Sequence, residues 1–197
     1  MNEKASMIAS DRIEERRQVI KMAGLGALAF SVGGQTLMLT PSQAHAKSLP
    51  FNILTDDEAK VYTHLAEAIV PGANVAGVTH FLDQQLAVPF PDSLLMIKLL
   101  DMPPPYPDLY KGCLNHLNHL AQQQHNKAFY ELDSKATMAM VGALAEGKLK
   151  SWQGPPSPLF YLSVRADGLD VVYGTPEGFE LLNVPYMQHI MPPERTW

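Results

Sequence analysis

The sequence predicts an all-α domain, a compact bundle of short helices with a long irregular C-terminal segment. Three observations carry that expectation. Apolar residues recur at helical spacing in several segments, each opened by a capping residue. Sixteen prolines in 197 residues cut the chain into short elements, because each removes a backbone donor and favours a helix boundary. No sustained alternation of strand formers is present.

Residues 1–46 read as an export leader. Arg16 and Arg17 stand in Glu-Arg-Arg-Gln-Val-Ile-Lys, and an uncharged stretch runs from Met22 to Leu39. Ala44-His45-Ala46 follows. A basic region, an apolar region and a small-x-small cleavage site come in the order of a signal peptide. The paired arginines point to the twin-arginine route, and Lys21 sits where that motif expects a lysine. This route carries cargo that folds before crossing. Gly24, Gly26, Gly33 and Gly34 weaken the apolar stretch as a permanent span, since each glycine costs a helix about 1 kcal/mol against alanine. The sequence therefore predicts a cut between Ala46 and Lys47. An uncleaved anchor, or an ordinary secretory signal with a chance arginine pair, are the alternatives.

Residues 47–197 are then one domain, long enough to bury a core. Thr55-Asp56-Asp57-Glu58 is a capping box, in which the Thr hydroxyl and the Glu carboxylate each satisfy an orphan N–H. Tyr62, Leu65, Ala66 and Ile69 recur behind it and Pro71-Gly72 ends it, so 55–70 is a helix. A glycine-rich turn leads to a second helix near Thr79, with Phe81, Leu82 and Leu86 on its apolar face. Asp92 caps a third, short one carrying Leu94, Leu95, Ile97 and Leu99. The proline run from Met102 to Pro107 reads as an extended connector, because such runs favour polyproline geometry. Asp108 begins the longest helix, with Tyr110, Cys113, Leu114, Leu117, Leu120 and Ala121 as its stripe. Asp133-Ser134 starts the next, which ends at Gly147. Ser157 caps a last one carrying Leu159, Phe160, Leu162 and Val164, which Gly168–Val172 either continue or break. From Tyr173 onward no period remains. That tail holds Phe179, Leu181, Leu182, Tyr186, Met187, Ile190, Met191 and Trp197, too apolar for a disordered segment. It must pack on its own domain or on a partner.

Chemistry is sparsely signalled. The net charge is −5, which gives no electrostatic footprint for nucleic acid or anionic lipid. Cys113 is the single cysteine, so no internal disulfide forms and its thiol is either buried or paired with another chain. Nucleotide-binding glycine motifs, a phosphate loop, a nucleophile elbow and haem-attachment spacing are all missing. His116 and His119 share a helix face and His125 follows. They support an alternative reading, a stand-alone periplasmic metal- or ligand-binding helical protein. A metal site, however, wants three or four converging ligands, and the Glu-x-x-His of di-iron bundles is absent. A self-sufficient enzyme is a third reading. On its residues alone the domain offers no catalytic group and no cofactor site.

Three segments resemble a known family: the twin-arginine leader; Leu54-Thr55-Asp56-Asp57-Glu58 through Ala68-Ile69-Val70-Pro71-Gly72-Ala73, with Gly77-Val78-Thr79-His80-Phe81-Leu82-Asp83 after it; and Val172-Tyr173-Gly174-Thr175-Pro176-Glu177-Gly178-Phe179-Glu180. The chain resembles the small subunit (subunit 3, or gamma) of gluconate 2-dehydrogenase-type flavoprotein dehydrogenases. That resemblance implies a complex. A large subunit of the glucose–methanol–choline oxidoreductase type carries FAD and oxidises a sugar, polyol or sugar acid. A cytochrome subunit with haem c usually takes the electrons onward. The small subunit is non-catalytic, supplies the signal read by the twin-arginine translocase and helps the large one mature, so that both reach the periplasm. No catalytic residue carries over. In this setting the tail 173–197 becomes a partner-docking segment, with Tyr173, Gly174, Pro176, Phe179, Tyr186 and Trp197 as its expected contacts, and Cys113 becomes a candidate intersubunit thiol.

Overall fold

A computed structural model describes residues 26–184. Arg16, Arg17 and Lys21 at one end, and Tyr186 and Trp197 at the other, lie outside the described residues. The described chain is mostly helical, with eight α-helices and one small hairpin.

The hairpin is the element the sequence did not announce. Strand β1 (Leu28–Val32) pairs antiparallel with β2 (Gln35–Leu39), Val32 facing Gln35 across a two-residue turn. Gly33 and Gly34 both have positive φ, 57° and 81°, which is what a type I′ hairpin turn requires of both central residues. Helix α1 (Pro41–Ala46) follows at once. Thr40 and Gln43 cap it reciprocally and Pro41 opens its first turn, where a missing N–H is harmless. Ala44 and Ala46, the expected cleavage pair, are therefore both helical.

Helix α2 (Asp56–Ile69) starts on the predicted box, Thr55 Oγ1 accepting from Glu58 N and Glu58 from Thr55 N. Glu58 is nevertheless buried. Its other oxygen accepts from Asn115 Nδ2 at 2.8 Å, and Lys111 Nζ lies 3.8 Å from the oxygen that caps Thr55 N. Burial alone pushes this carboxyl up, but the hydrogen bonds from Thr55 and Asn115 and the charge of Lys111 outweigh it and leave the pKa below its ordinary value. Its stabilisation is thus present above the unfolded carboxylate pKa and lost as pH falls through the lowered one. Glu58→Gln, which places an amide N–H₂ against existing donors, is expected to destabilise the domain by about 1–3 kcal/mol in denaturant unfolding near neutral pH. An unchanged midpoint would remove Glu58 from the supports of the α2 terminus.

Helix α3 (Val78–Ala87) is the most enclosed element, with every residue from Val78 to Leu86 buried. Asp83 on it accepts from three successive backbone groups, Asn52 N, Ile53 N and Leu54 N, at 2.8–2.9 Å. A 3₁₀ turn at Phe90–Asp92 and the short α4 (Met96–Leu99) come next. Asp92 was expected to cap the third helix. It lies in the 3₁₀ turn instead, and the helix begins where Met96 N donates to the Asp167 carboxylate at 2.8 Å. Helix α5 (Tyr106–His125) begins two residues before Asp108. Pro107 belongs to its first turn, so the extended connector ends at Pro105.

Helix α6 (Ser134–Ala145) is capped by Asp133, as the sequence predicts. Helix α7 (Ser157–Tyr173) runs through Gly168–Val172 without a break. Ser157 does not cap it; its hydroxyl donates across to Leu144 O at 2.8 Å and ties α7 to α6. Gly168 lets the helices close up: a Cβ there would meet Val70 Cγ2 at 3.1 Å. Beyond Tyr173 the tail is not wholly irregular. Thr175 caps α8 (Pro176–Leu181), with Gly178 N donating to its hydroxyl. The signal was too short for a period argument, a single Thr-Pro-x-Gly start over six residues.

The core gathers around α2, which packs against α3, α5, α6 and α7. Tyr62, Leu65, Tyr110, Leu114, Leu117, Phe129, Leu144 and Phe160 are among its largest buried side chains. Tyr110 meets Tyr62 and Phe160 edge-on, with ring centroids 6.4 and 5.7 Å apart, inside the range of favourable aromatic pairs. Among the described residues no helix is long and apolar enough to cross a membrane.

Candidate functional site

The histidines do not converge. His116 and His119 lie on one face of α5 with ring centroids 6.4 Å apart. His116 Nε2 is within 2.8 Å of Ser151 O and its ring stands edge-on to Trp152. His125 sits in the last turn of α5. His64 Nε2 is 2.8 Å from the Thr137 hydroxyl and joins α2 to α6. Among the described residues no group of three His, Cys, Asp or Glu is placed to hold a metal ion.

Cys113 is 1% exposed. Gly154 covers it closely, since a Cβ there would stand 3.5 Å from the Sγ. Burial pushes its thiol up to about 12, which disfavours the thiolate that forms disulfides. An intersubunit disulfide would require the 153–155 turn to lift away first.

A buried polar cluster escaped the sequence reading. Asp167, on α7, accepts from Met96 N and, at 3.2 Å, from the Tyr110 hydroxyl. Burial pushes its carboxyl up to about 7. Tyr62 and Tyr110 are pushed well above the usual phenol range, again first by burial. The arrangement holds α4 and α5 to α7 and has no opening to a substrate. Its only sequence trace is one acid inside an apolar helical stripe.

The corner with exposed apolar surface lies elsewhere, where residues 40–43 meet the segment from Val171 to Leu181. A groove of about 460 Å³ runs between α1, the Pro71–Ala76 turn, the end of α7 and α8. Thr40–Gln43 form one wall, Val171–Tyr173 and Gly178 the other, and Val75 and Leu181 stand at its edge. Val75 is 74% exposed and Leu181 77%, with Leu182 and Val184 exposed beside them. Small residues make the corner possible. A Cβ at Gly174 would fall 2.4 Å from Asp170 O, and one at Gly178 would fall 2.3 Å from Val172 O. The chain can turn back on α7 only with glycine at both places.

Of the expected docking residues, Tyr173 is on the groove wall, Gly174 follows it at the end of α7, and Pro176 and Phe179 belong to α8. Leu181 belongs to the tail expected to dock, whereas Val75 and the 40–43 wall were not anticipated. Val75 was concealed in a glycine-rich turn, and 40–43 in what reads as a leader. A single exposed aliphatic residue says little about a surface; Val75 and Leu181 at one groove, with Leu182 and Val184 exposed just along the chain, form a patch of the kind that marks an interaction site. A second cleft, of about 500 Å³, opens beside α2 between Phe51, Lys60, His64 and Tyr130, with His64 already engaged by Thr137.

A family model described as gluconate 2-dehydrogenase subunit 3 matches residues 56–189. No curated protein and no solved structure matches the chain.

Proposed function

Because the chain belongs to the gluconate 2-dehydrogenase subunit 3 family, we propose that it is the non-catalytic small subunit of a periplasmic, FAD-dependent sugar, polyol or sugar-acid dehydrogenase. Membership implies association with other subunits of such a dehydrogenase. In the proposed complex the large subunit holds the flavin and oxidises the substrate. A cytochrome with haem c takes up the electrons. The small subunit supplies the twin-arginine signal, Arg16, Arg17 and Lys21, and stabilises its folded passenger during export.

The apolar corner around Leu181 carries this reading. It presents exposed aliphatic side chains on a fixed helix end, and Val75 and Leu181 both lie within the residues that the family model matches. Rigid apolar protrusions next to a groove suit a protein partner better than a solvated surface. The tail that continues beyond Val184 is proline- and aromatic-containing, so docking it forfeits less conformational entropy than docking a flexible polar tail.

The test is co-expression of the full tagged chain with a large flavoprotein dehydrogenase encoded beside it. A yellow flavoprotein is expected to co-elute from the periplasmic fraction. Replacing Arg16 and Arg17 together by lysine should hold both chains in the cytoplasm. A flavoprotein that reaches the periplasm unaided, or that never co-elutes, refutes the assignment.

A further inference from the structure

We propose that the folded domain protects the Ala46–Lys47 bond, so that the exported chain keeps residues 26–46 as a working part of its structure. This extends the export reading to the fate of the leader and rests on that reading.

The first observation is stereochemical. A small-x-small cleavage site is read with both small side chains on one side of an extended strand, where residues two apart share a face. In α1 residues two apart are about 200° apart around the axis. Ala44 has no exposed surface at all, whereas Ala46 is exposed. Presenting the pair to a peptidase therefore requires α1 to unwind and Ala44 to leave its packing. Unwinding also breaks the bonds from Lys47 N to Gln43 O at 3.1 Å and from Leu49 N to Ala44 O at 3.1 Å, and opens the Thr40–Gln43 box.

The second observation is that the domain is shaped to receive this segment. Gly77 has φ of 78°, and a Cβ on it would lie 2.1 Å from Pro41 O. The turn before α3 thus fits the first turn of α1 at backbone contact. Two polar side chains of α3, Gln84 and His80, also meet residues 26–46, while the Leu49 carbonyl that His80 engages lies beyond the bond. Gln84 Nε2 donates to Ala29 O at 3.3 Å. His80 donates from Nε2 to Leu49 O at 3.1 Å, and the His45 ring meets its ring edge-on at 5.7 Å. Phe30 of β1 is 5% exposed. A helix buried along its whole length needs a cover on every side, and residues 26–46 supply one side of α3. Their removal would bare that side and take away one wall of the docking groove.

The experiment compares two substrates of the peptidase that removes export leaders: the purified full-length chain in detergent, and a synthetic peptide of residues 36–52. The peptide is expected to be cut after Ala46 and the folded chain at least about 100-fold more slowly, as local opening must precede cleavage. Gly77→Val, whose side chain meets the Pro41 backbone, should bring the chain close to the peptide rate. Thr40→Val with Gln43→Ala removes the cap but leaves the α3 surface intact, and should speed cleavage about fivefold. Equal rates for wild type and peptide overturn the proposal, as does an uncut peptide, or a cap variant no faster than wild type. In cells, an exported chain with Lys47 as its N-terminus by intact mass defeats this proposal and spares the export reading. A chain left in the cytoplasm defeats the export reading, and the comparison in detergent still decides the bond.

Discussion

Replacing Leu181 by aspartate is expected to cut co-purification of the flavoprotein subunit at least tenfold, with the chain's own melting temperature unchanged. Leu181 is 77% exposed, so a carboxylate there stays hydrated in the free chain and leaves its stability within about 0.5 kcal/mol. In a docked complex the same carboxylate would lose its water against an apolar surface, with no basic group supplied for it. Burying an unpaired charge is strongly unfavourable, and central interface positions commonly carry 2 kcal/mol or more, beyond a tenfold change in binding. A partner seated over the groove would cover Val75 and Leu181 together at its edge. A second variant ending at Val184 removes Tyr186 and Trp197 while keeping the cap of α8. Truncation at Tyr173 would remove α8 itself, and its effect would mix folding with docking. Full recovery of flavoprotein by both variants would place the interface elsewhere, with the exposed Leu94 and Leu99 around α4 next to test.

The helices with long stripes and paired caps were legible from residues alone. The Thr55–Glu58 box and the α5 stripe from Tyr110 to Ala121 sit where periodicity puts them. Errors collected at proline and at short elements. Pro107 reads as a helix breaker but stands in the first turn, where its missing donor has no partner to lose. Asp92 and Ser157 read as caps and were used otherwise, because tertiary partners determine which candidate caps a helix. The hairpin escaped because its apolar strands read as a leader, and only the Gly33-Gly34 pair hinted at a turn. Half of the apolar corner was visible as an apolar tail. The other half was not, because the approach of residues 40–43 to it depends on Gly77, whose role appears only when Pro41 is placed against it.

Asp167 gives the largest expected dependence on pH. Its carboxyl is 2% exposed, and burial raises its pKa from 3.8 to about 7 despite the donors Met96 N and Tyr110 Oη. The groups around it come from four helices: Tyr62 on α2, Met96 N on α4, Tyr110 on α5 and Asp170 on its own α7. None is cationic, so only the two hydrogen bonds from Met96 N and Tyr110 favour the ionised form, and burial outweighs them. A folded pKa above the unfolded one means that the native state holds the proton more tightly. The stabilisation is therefore complete below the unfolded value and is lost as pH rises through about 7, at up to about 1.4 kcal/mol per pH unit. Across the whole window this amounts to about 4 kcal/mol, the opposite sign to Glu58. Asp167→Asn stays neutral and keeps one carbonyl to accept from Met96 N or Tyr110. It should be less stable than wild type by about 1 kcal/mol below about pH 4 for the acceptor it lacks, and more stable from about pH 5 upward, because wild type has by then lost about 1.6 kcal/mol through the ionisation of the unfolded chain. Denaturant unfolding at about pH 3.5, 5, 6, 7 and 8 should show the two curves crossing below about pH 5 and diverging up to about pH 7. Parallel curves would mean that Asp167 is ionised throughout, and that the donors around it outweigh its burial.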